Sequence, residues 1–329
     1  MDHCKAYRIF NENNEIAGRV IDVPVAELGR GEVVFRCAWS SVNFKDALAA
    51  TGTGGKIIRQ YPLVGGIDAA GTVISSADPR FKAGDEVICT SYDMGVAHDG
   101  GYAGMCRVPA DWVVPLPSGL TLFDAMALGT AGYTAGLAVE LLELNGLAPN
   151  NGKVAVNGAT GGVASLLIDM LAAKGYSVTA ITGKSAENGF LKQLGAAEVL
   201  DRNSLEMSSR PLEKALWAAA FDSVGGEQLG WLTRTIQPGG LVASFGNAGG
   251  IELKTTVLPF ILRGLRLIGV DSVATPMALR QRVWGRLASD LKPRHLGQIA
   301  HTISLEDLSG YFARMLQGGI RGRAVVRVP

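Results

Sequence analysis

Between positions 154 and 164 the chain reads Val-Ala-Val-Asn-Gly158-Ala-Thr160-Gly161-Gly162-Val163-Ala164, an apolar run that turns through glycines into a helical pattern. Glycines let a backbone bend sharply and approach a pyrophosphate without a Cβ in the way. The first N–H groups of the helix add donors and positive dipole. Gly158, Thr160, Gly161, Gly162 and Val163 are therefore candidate phosphate contacts for a dinucleotide. The next strand pattern ends Ile181-Thr182-Gly183-Lys184-Ser185. An acidic residue at that tip would grip the ribose hydroxyls of NAD; a hydroxyl and an ammonium suit a 2′-phosphate instead. Thr182, Gly183 and Lys184 thus favour NADPH. Arg202 is open to two readings, a second cation or a solvated surface arginine. Asn247 and Ser272 end two later strand patterns, where ligands of open α/β sheets bind, although ordinary turn chemistry also places such residues there. Cys4, Cys37, Cys89 and Cys106, and His3, His98, His295 and His301, are scattered without ligand spacing, so no metal site is expected.

Those residues need elements to carry them. Up to about Pro117, short β-branched runs (Val33 to Trp39, Ala70 to Ser75, Glu86 to Thr90, Cys106 to Val108) are punctuated by Gly, Pro and Asp, the pattern of a β-rich region. From Thr121 a 3.6-residue stripe through Ala125, Leu128, Ala131 and Ala135 predicts a long helix out of this region. Strand patterns then alternate with helical ones at 153–157, 177–182, 198–200, 219–224, 240–245 and 266–270. That order describes a doubly wound parallel sheet. The tail from Pro276 has one last strand, Ala324 to Val328, and no sheet of its own, so it is expected to return to the first domain. The expected division is 1–123 plus 274–329 against 124–273.

The 329 residues carry 31 Lys and Arg against 30 Asp and Glu, a formal net charge of +1, which removes the electrostatic footprint of a nucleic-acid or polybasic membrane binder. Apolar runs such as Ala164 to Ala173 are interrupted, here by Asp169, and the first residues lack the pattern of a secretory signal. A soluble, cytoplasmic protein is expected.

Taken together, Ser41-Val-Asn43-Phe-Lys-Asp46-Ala-Leu, Gly66-Ile-Asp68-Ala-Ala-Gly71-Thr, Asp78-Pro-Arg-Phe81, Gly129-Thr-Ala-Gly-Tyr-Thr134-Ala, the glycine loop, Thr182-Gly-Lys184, Arg210-Pro-Leu-Glu-Lys214, Thr256 to Arg263 and Gly269-Val-Asp-Ser-Val273 resemble the zinc-free medium-chain dehydrogenase/reductases, and within them the NADPH-dependent acryloyl-CoA reductase group. The resemblance spans essentially the whole chain. It implies a GroES-like, partly open β-barrel catalytic domain beside a Rossmann domain, with substrate in the cleft between them. The implied reaction is NADPH-dependent reduction of the C=C bond of an α,β-unsaturated acyl-CoA, acryloyl-CoA to propanoyl-CoA. It also implies Asn43 and Asp68 beside the nicotinamide, Phe44 near the cofactor, residues from Thr130 to Thr134 along the nicotinamide, and a homodimer through the strand at 266–270. Asn43 would orient substrate or contact the oxyanion, or else be a turn residue before a helix. Asp68 would serve the site, or hold Lys45 or a backbone N–H structurally. Tyr92, Tyr133 or water would give the proton.

Two departures stand out. The family's tryptophan-bearing segment reads Ser91-Tyr92-Asp93-Met94-Gly95-Val96-Ala97-His98-Asp99-Gly100-Gly101, and the glycine loop ends in Ala164 rather than Gly. The first leaves open a quinone or generic activated-alkene reductase. A non-catalytic NADPH-binding protein is the reading of another class.

Overall fold

The computed structural model describes residues 3–329. Strands β1 (His3–Glu12) and β2 (Glu15–Pro24) form an antiparallel hairpin. Its two turn residues, Asn13 and Asn14, have φ of 54° and 66°, a left-handed pair that asparagine tolerates better than most side chains. The β-rich reading covers the chain from the N-terminus but names no strand before Val33. The hairpin is half exposed, and its mixture of charged and apolar residues gives a weak signal. There follow β3 (Val33–Ser41), α1 (Phe44–Thr51), β4 (Leu63–Val64), β5 (Asp68–Ser76), β6 (Glu86–Thr90), β7 (Met105–Val108) and β8 (Val113–Pro115).

Helix α2 (Leu122–Leu144) is not one continuous helix, since Gly129 breaks it at φ 52°, ψ −156°. It is long and apolar enough to cross a membrane by length and composition, yet 89% of its most apolar window is buried inside the protein. It is a core helix. Next come β9 (Lys153–Asn157), α3 (Gly162–Ala173), β10 (Ser177–Thr182), α4 (Asn188–Gln193), β11 (Glu198–Asp201), β12 (Trp217–Asp222), α5 (Gly226–Thr235), β13 (Ile236–Ser244), α6 (Leu258–Arg263) and β14 (Arg266–Gly269). The chain ends with α7 (Met277–Leu287), α8 (Leu296–Ile299), β15 (Ala300–Ile303), α9 (Leu308–Leu316) and β16 (Arg323–Arg327).

The chain divides into two compact units. The first comprises Met1–Ala131, Val273–Arg282 and Leu296–Pro329, the second Gly132–Ser272 and Val283–His295. In the first, β16 pairs with β3, so the tail does return to this sheet, and the order is β15-β16-β3-β5-β6-β8 with β7 also on β3. Phe35, Val73, Val87, Tyr102, Phe312 and Val326 belong to its core. In the second, the all-parallel order β11-β10-β9-β12-β13-β14 reverses direction between β9 and β12, the point at which doubly wound folds bind dinucleotides. Ala155, Ile181, Ala220, Leu232 and Val242 lie in its core. Asp169, the charge that interrupts α3, is fully buried and accepts the backbone N–H (2.7 Å) and Nδ1 (3.0 Å) of His295. It fastens the segment after α7 to the sheet's helix layer.

Candidate active site and cofactor cradle

Asp68 opens β5 and is fully buried. A carboxylate removed from water costs several kcal/mol unless its charge is paired and its lone pairs are filled. Oδ2 accepts from Ser41 Oγ (2.6 Å), Asn43 Nδ2 (2.7 Å) and Thr130 N (2.9 Å), and Oδ1 accepts from Thr130 Oγ1 (2.5 Å). The balancing cation is Arg323 of β16, 3.9 Å from Oδ2. Lys45 is not among these partners, whereas a backbone N–H, that of Thr130, is. Arg323 is 3% exposed and donates to Ala127 O (3.2 Å), Val42 O (2.7 Å), Asn43 Oδ1 (3.2 Å) and Ser41 Oγ (2.8 Å). The break at Gly129 follows from this crowding. A Cβ there would sit 2.5 Å from both Asp68 Oδ2 and Ser41 Oγ, and the left-handed φ would strain any other residue.

Asn43 immediately precedes α1, so the turn-residue reading and the site reading describe the same residue. Its backbone N–H donates to Asp46 Oδ2 (2.8 Å), while Asp46 Oδ1 accepts from Ile67 N (3.0 Å), so Asp46 ties the segment carrying Asn43 to the one carrying Asp68. Burial, with the Asp68 charge adding to it, pushes the Asp46 carboxyl from 3.8 up to about 7. A raised carboxyl pKa favours folding only while the group is protonated in both states. Its contribution is therefore full below about pH 4 and is lost as pH rises towards 7, by about 1.4 kcal/mol per unit. We expect the unfolding free energy of the native protein to fall across that window relative to Asp46→Asn. Urea melts at pH 4.5 and 7.5 check this, and parallel pH profiles for the two proteins would overturn it.

Tyr92, with φ 51° beside Ser91 at 66°, has its ring stacked on Trp112 (5.4 Å, 3° between planes) and covered by the Arg280 guanidinium at 4.4 Å. Arg280 is fully buried and also donates to Thr90 O and Oγ1 (3.3 and 3.2 Å). Ser91 Oγ meets Thr130 Oγ1 at 3.0 Å, which brings the Tyr92 loop to the Asp68 cluster. Phe44, the first residue of α1, is 42% exposed. Tyr133 is fully buried against Trp284 in the second unit. Sequence reading missed Ser41, Arg280 and Arg323 as site residues. Ser41 was within a quoted motif, but nothing local marks the two arginines.

In the second unit Gly158 follows β9 with φ +58°, and a Cβ on it would overlap the Ser223 hydroxyl. Gly161 caps α3, and Gly162 and Val163 contribute first-turn N–H groups that have no carbonyl within the helix to bond. Thr160 and Thr134 are 6% and 5% exposed. Beneath the loop, Asn157 Nδ2 donates to Asp222 Oδ1 (2.6 Å) and Ser223 N donates to Asn157 Oδ1 (2.8 Å), locking β9 to β12. Thr182 Oγ1 accepts from Lys184 N (3.0 Å). A Cβ on Gly183 would meet Arg202 Nε at 2.5 Å, so Arg202 packs directly on the tip. Burial lowers the Lys184 pKa, and the Arg202 charge lowers it further despite the opposing effect of Glu187. Two cations crowded at one strand tip, with a cradle that a Cβ would fill, fit a dinucleotide carrying a 2′-phosphate. Asn247 stands exposed in the turn after β13, where its carbonyl accepts from Gly250 N (3.1 Å), and Ser272 ends the second unit's main segment.

A parallel sheet with this cradle, in a chain whose other unit buries a charged polar cluster, is the build of a two-domain dinucleotide-dependent oxidoreductase. Residues 29–118 match the alcohol dehydrogenase GroES-like domain and residues 162–289 the zinc-binding dehydrogenase domain. The chain is 45% identical over 318 residues to acrylyl-CoA reductase AcuI of Ruegeria pomeroyi, covering 96% of each. It is 48% identical over 317 residues to YhfP of Bacillus subtilis, provisionally named a quinone oxidoreductase, again covering 96% of each. The YhfP structure with NAD bound matches at TM-score 0.97, and the yhdH oxidoreductase of Salmonella enterica in complex with NADP at 0.96, with 45% identity over 99% of this chain and 100% of that one. The chain belongs to the medium-chain dehydrogenase/reductase family.

The zinc in one domain's name does not fit these residues. Gly66-Ile67-Asp68 carries a single carboxylate, already paired with a guanidinium and ringed by hydrogen-bond donors, and among the described residues no group of three or more His, Cys, Asp or Glu could hold a metal.

Proposed function

We propose that the protein reduces the C=C bond of an α,β-unsaturated acyl-CoA with NADPH, acryloyl-CoA to propanoyl-CoA. The observation that carries this reading is the 45% identity to acrylyl-CoA reductase AcuI across 96% of both chains. The crowded Lys184 and Arg202 support the choice of NADPH. When bound, the cofactor supplies a hydride to the β-carbon, so that charge develops on the thioester oxygen and a proton completes the α-carbon.

In this reading Gly158, Thr160, Gly161, Gly162 and Val163 hold the pyrophosphate, and Thr182, Gly183, Lys184 and Arg202 hold the 2′-phosphate. Phe44, Thr130, Thr134, Asn247 and Ser272 border the remainder of the cofactor. Asn43 donates to the thioester oxygen, and charge stabilisation of this kind is commonly the largest catalytic contribution. Asp68 acts through Asn43 and is a positioning residue. Tyr92, clamped between Trp112 and Arg280, is the proton donor. The first unit is catalytic and the second binds NADPH, with the expected boundaries moved, since 124–131 belongs to the first unit and 283–295 to the second. The protein acts in the cytoplasm as a homodimer, a reading supported by β14 at the sheet edge and by exposed Val257, Ile261 and Leu262 nearby (66%, 68% and 63%). A monomer mass in sedimentation would end the dimer proposal.

The test is NADPH consumption with acryloyl-CoA, beside a simple quinone and with NADH as control. Efficient turnover of acryloyl-CoA with NADPH is expected. Turnover of the quinone alone would transfer the assignment to the second reading, which the altered 91–101 segment and the provisional name of YhfP favour.

A further inference from the structure

The Asn43 carboxamide lies between two groups of opposite chemistry. An ionised carboxylate only accepts hydrogen bonds and a guanidinium only donates them, so the amide has one orientation that satisfies both. Nδ2 faces Asp68 at 2.7 Å and Oδ1 faces Arg323 at 3.2 Å. Asp68 uses one of the two Nδ2 protons. Asn43 is 8% exposed against 0% and 3% for Asp68 and Arg323, so of these three it has the most access to solvent. With the flip state reversed, a carbonyl oxygen would meet a developing oxyanion and repel it.

We propose that Arg323 is a positioning residue for the reaction: with Asp68 it locks the Asn43 amide in one flip state, so that Nδ2 rather than Oδ1 is presented to the substrate carbonyl oxygen. The inference rests on the reading of Asn43 as the oxyanion contact. It gives the last strand, 280 residues away in sequence, a share in the chemistry. The fork geometry is what the task needs, because Arg323 Nη1 serves Val42 O and Asn43 Oδ1 while Nη2 serves Ser41 Oγ. A lysine retains the charge but has one nitrogen in place of three.

The experiment is a double-mutant cycle on kcat with Arg323→Lys and Asn43→Ala, and if the lysine variant folds poorly the charge-neutral pair Asp68→Asn with Arg323→Met takes its place. Loss of an oxyanion donor costs about 10²–10³ in kcat. Arg323→Lys should reproduce at least about a tenfold part of that loss in the native background, and none of it once residue 43 is alanine. NADPH affinity, followed by cofactor fluorescence, should be unchanged in all three variants. Equal effects of Arg323→Lys in both backgrounds, or a native kcat, would overturn the proposal, since a merely structural arginine lowers activity whatever stands at 43. The native protein reports separately on the acyl-CoA reading. If only the quinone is consumed, that reading fails and the same cycle is run on the quinone carbonyl.

Discussion

Replacing Lys184 and Arg202 together by alanine is expected to lower kcat/KM for NADPH by about 10²–10⁴, because each removes a charge-assisted hydrogen bond of about 1.5–3 kcal/mol to the same phosphate. The two cations crowd each other at the end of β10, and a bound dianion would relieve the cost of holding them there. NADH lacks that phosphate, so its kcat/KM should change little and the cofactor preference should narrow or invert. Parallel steady-state kinetics with the two cofactors check this. An equal loss for both would mean that the pair shapes the loop rather than reads the phosphate. The comparison matters because one close structural relative was solved with NADP and another with NAD.

The second large effect lies in the first unit. Asp68→Ala should destabilise the protein by about 3–5 kcal/mol, since it leaves the Arg323 guanidinium buried without its counter-charge. Ser41, Asn43 and Thr130 lose their shared acceptor at the same time. Urea unfolding gives the value. Asp68→Ala combined with Arg323→Met should be more stable than the sum of the single effects, because the uncompensated charge is gone. Strict additivity would show that Asp68 and Arg323 are not an energetic pair.

Much of this arrangement is legible in the sequence. The glycine loop, the tip at Thr182 to Lys184 and the alternation of strands and helices are local patterns, each set by residues within a few positions of one another. The parallel sense of the sheet follows from those alternating crossovers, whereas the strand order with its reversal between β9 and β12 is decided by packing. Even the return of the tail was legible, because a lone terminal strand must find a sheet. The N-terminal hairpin was not, since its half-exposed strands show no clean alternation. The helix predicted from Thr121 was placed correctly but not seen to break, because Gly129 in an apolar helical run reads as a tolerated glycine. Only the Asp68, Ser41 and Arg323 side chains that converge on it show why a Cβ is excluded.

From its sequence alone this protein was bound to place a glycine turn and a helix start at the end of β9, to put Thr182 and Lys184 rather than a carboxylate at the end of β10, and to form a parallel sheet around them. Those outcomes depend on neighbours in the chain. The neutralisation of Asp68 by Arg323, the clamping of Tyr92 between Trp112 and Arg280, and the orientation of the Asn43 amide depend on contacts between segments up to 280 residues apart. A buried charge must find a partner, but hydrogen bonding and packing in three dimensions, which no local spacing encodes, determine which partner it finds.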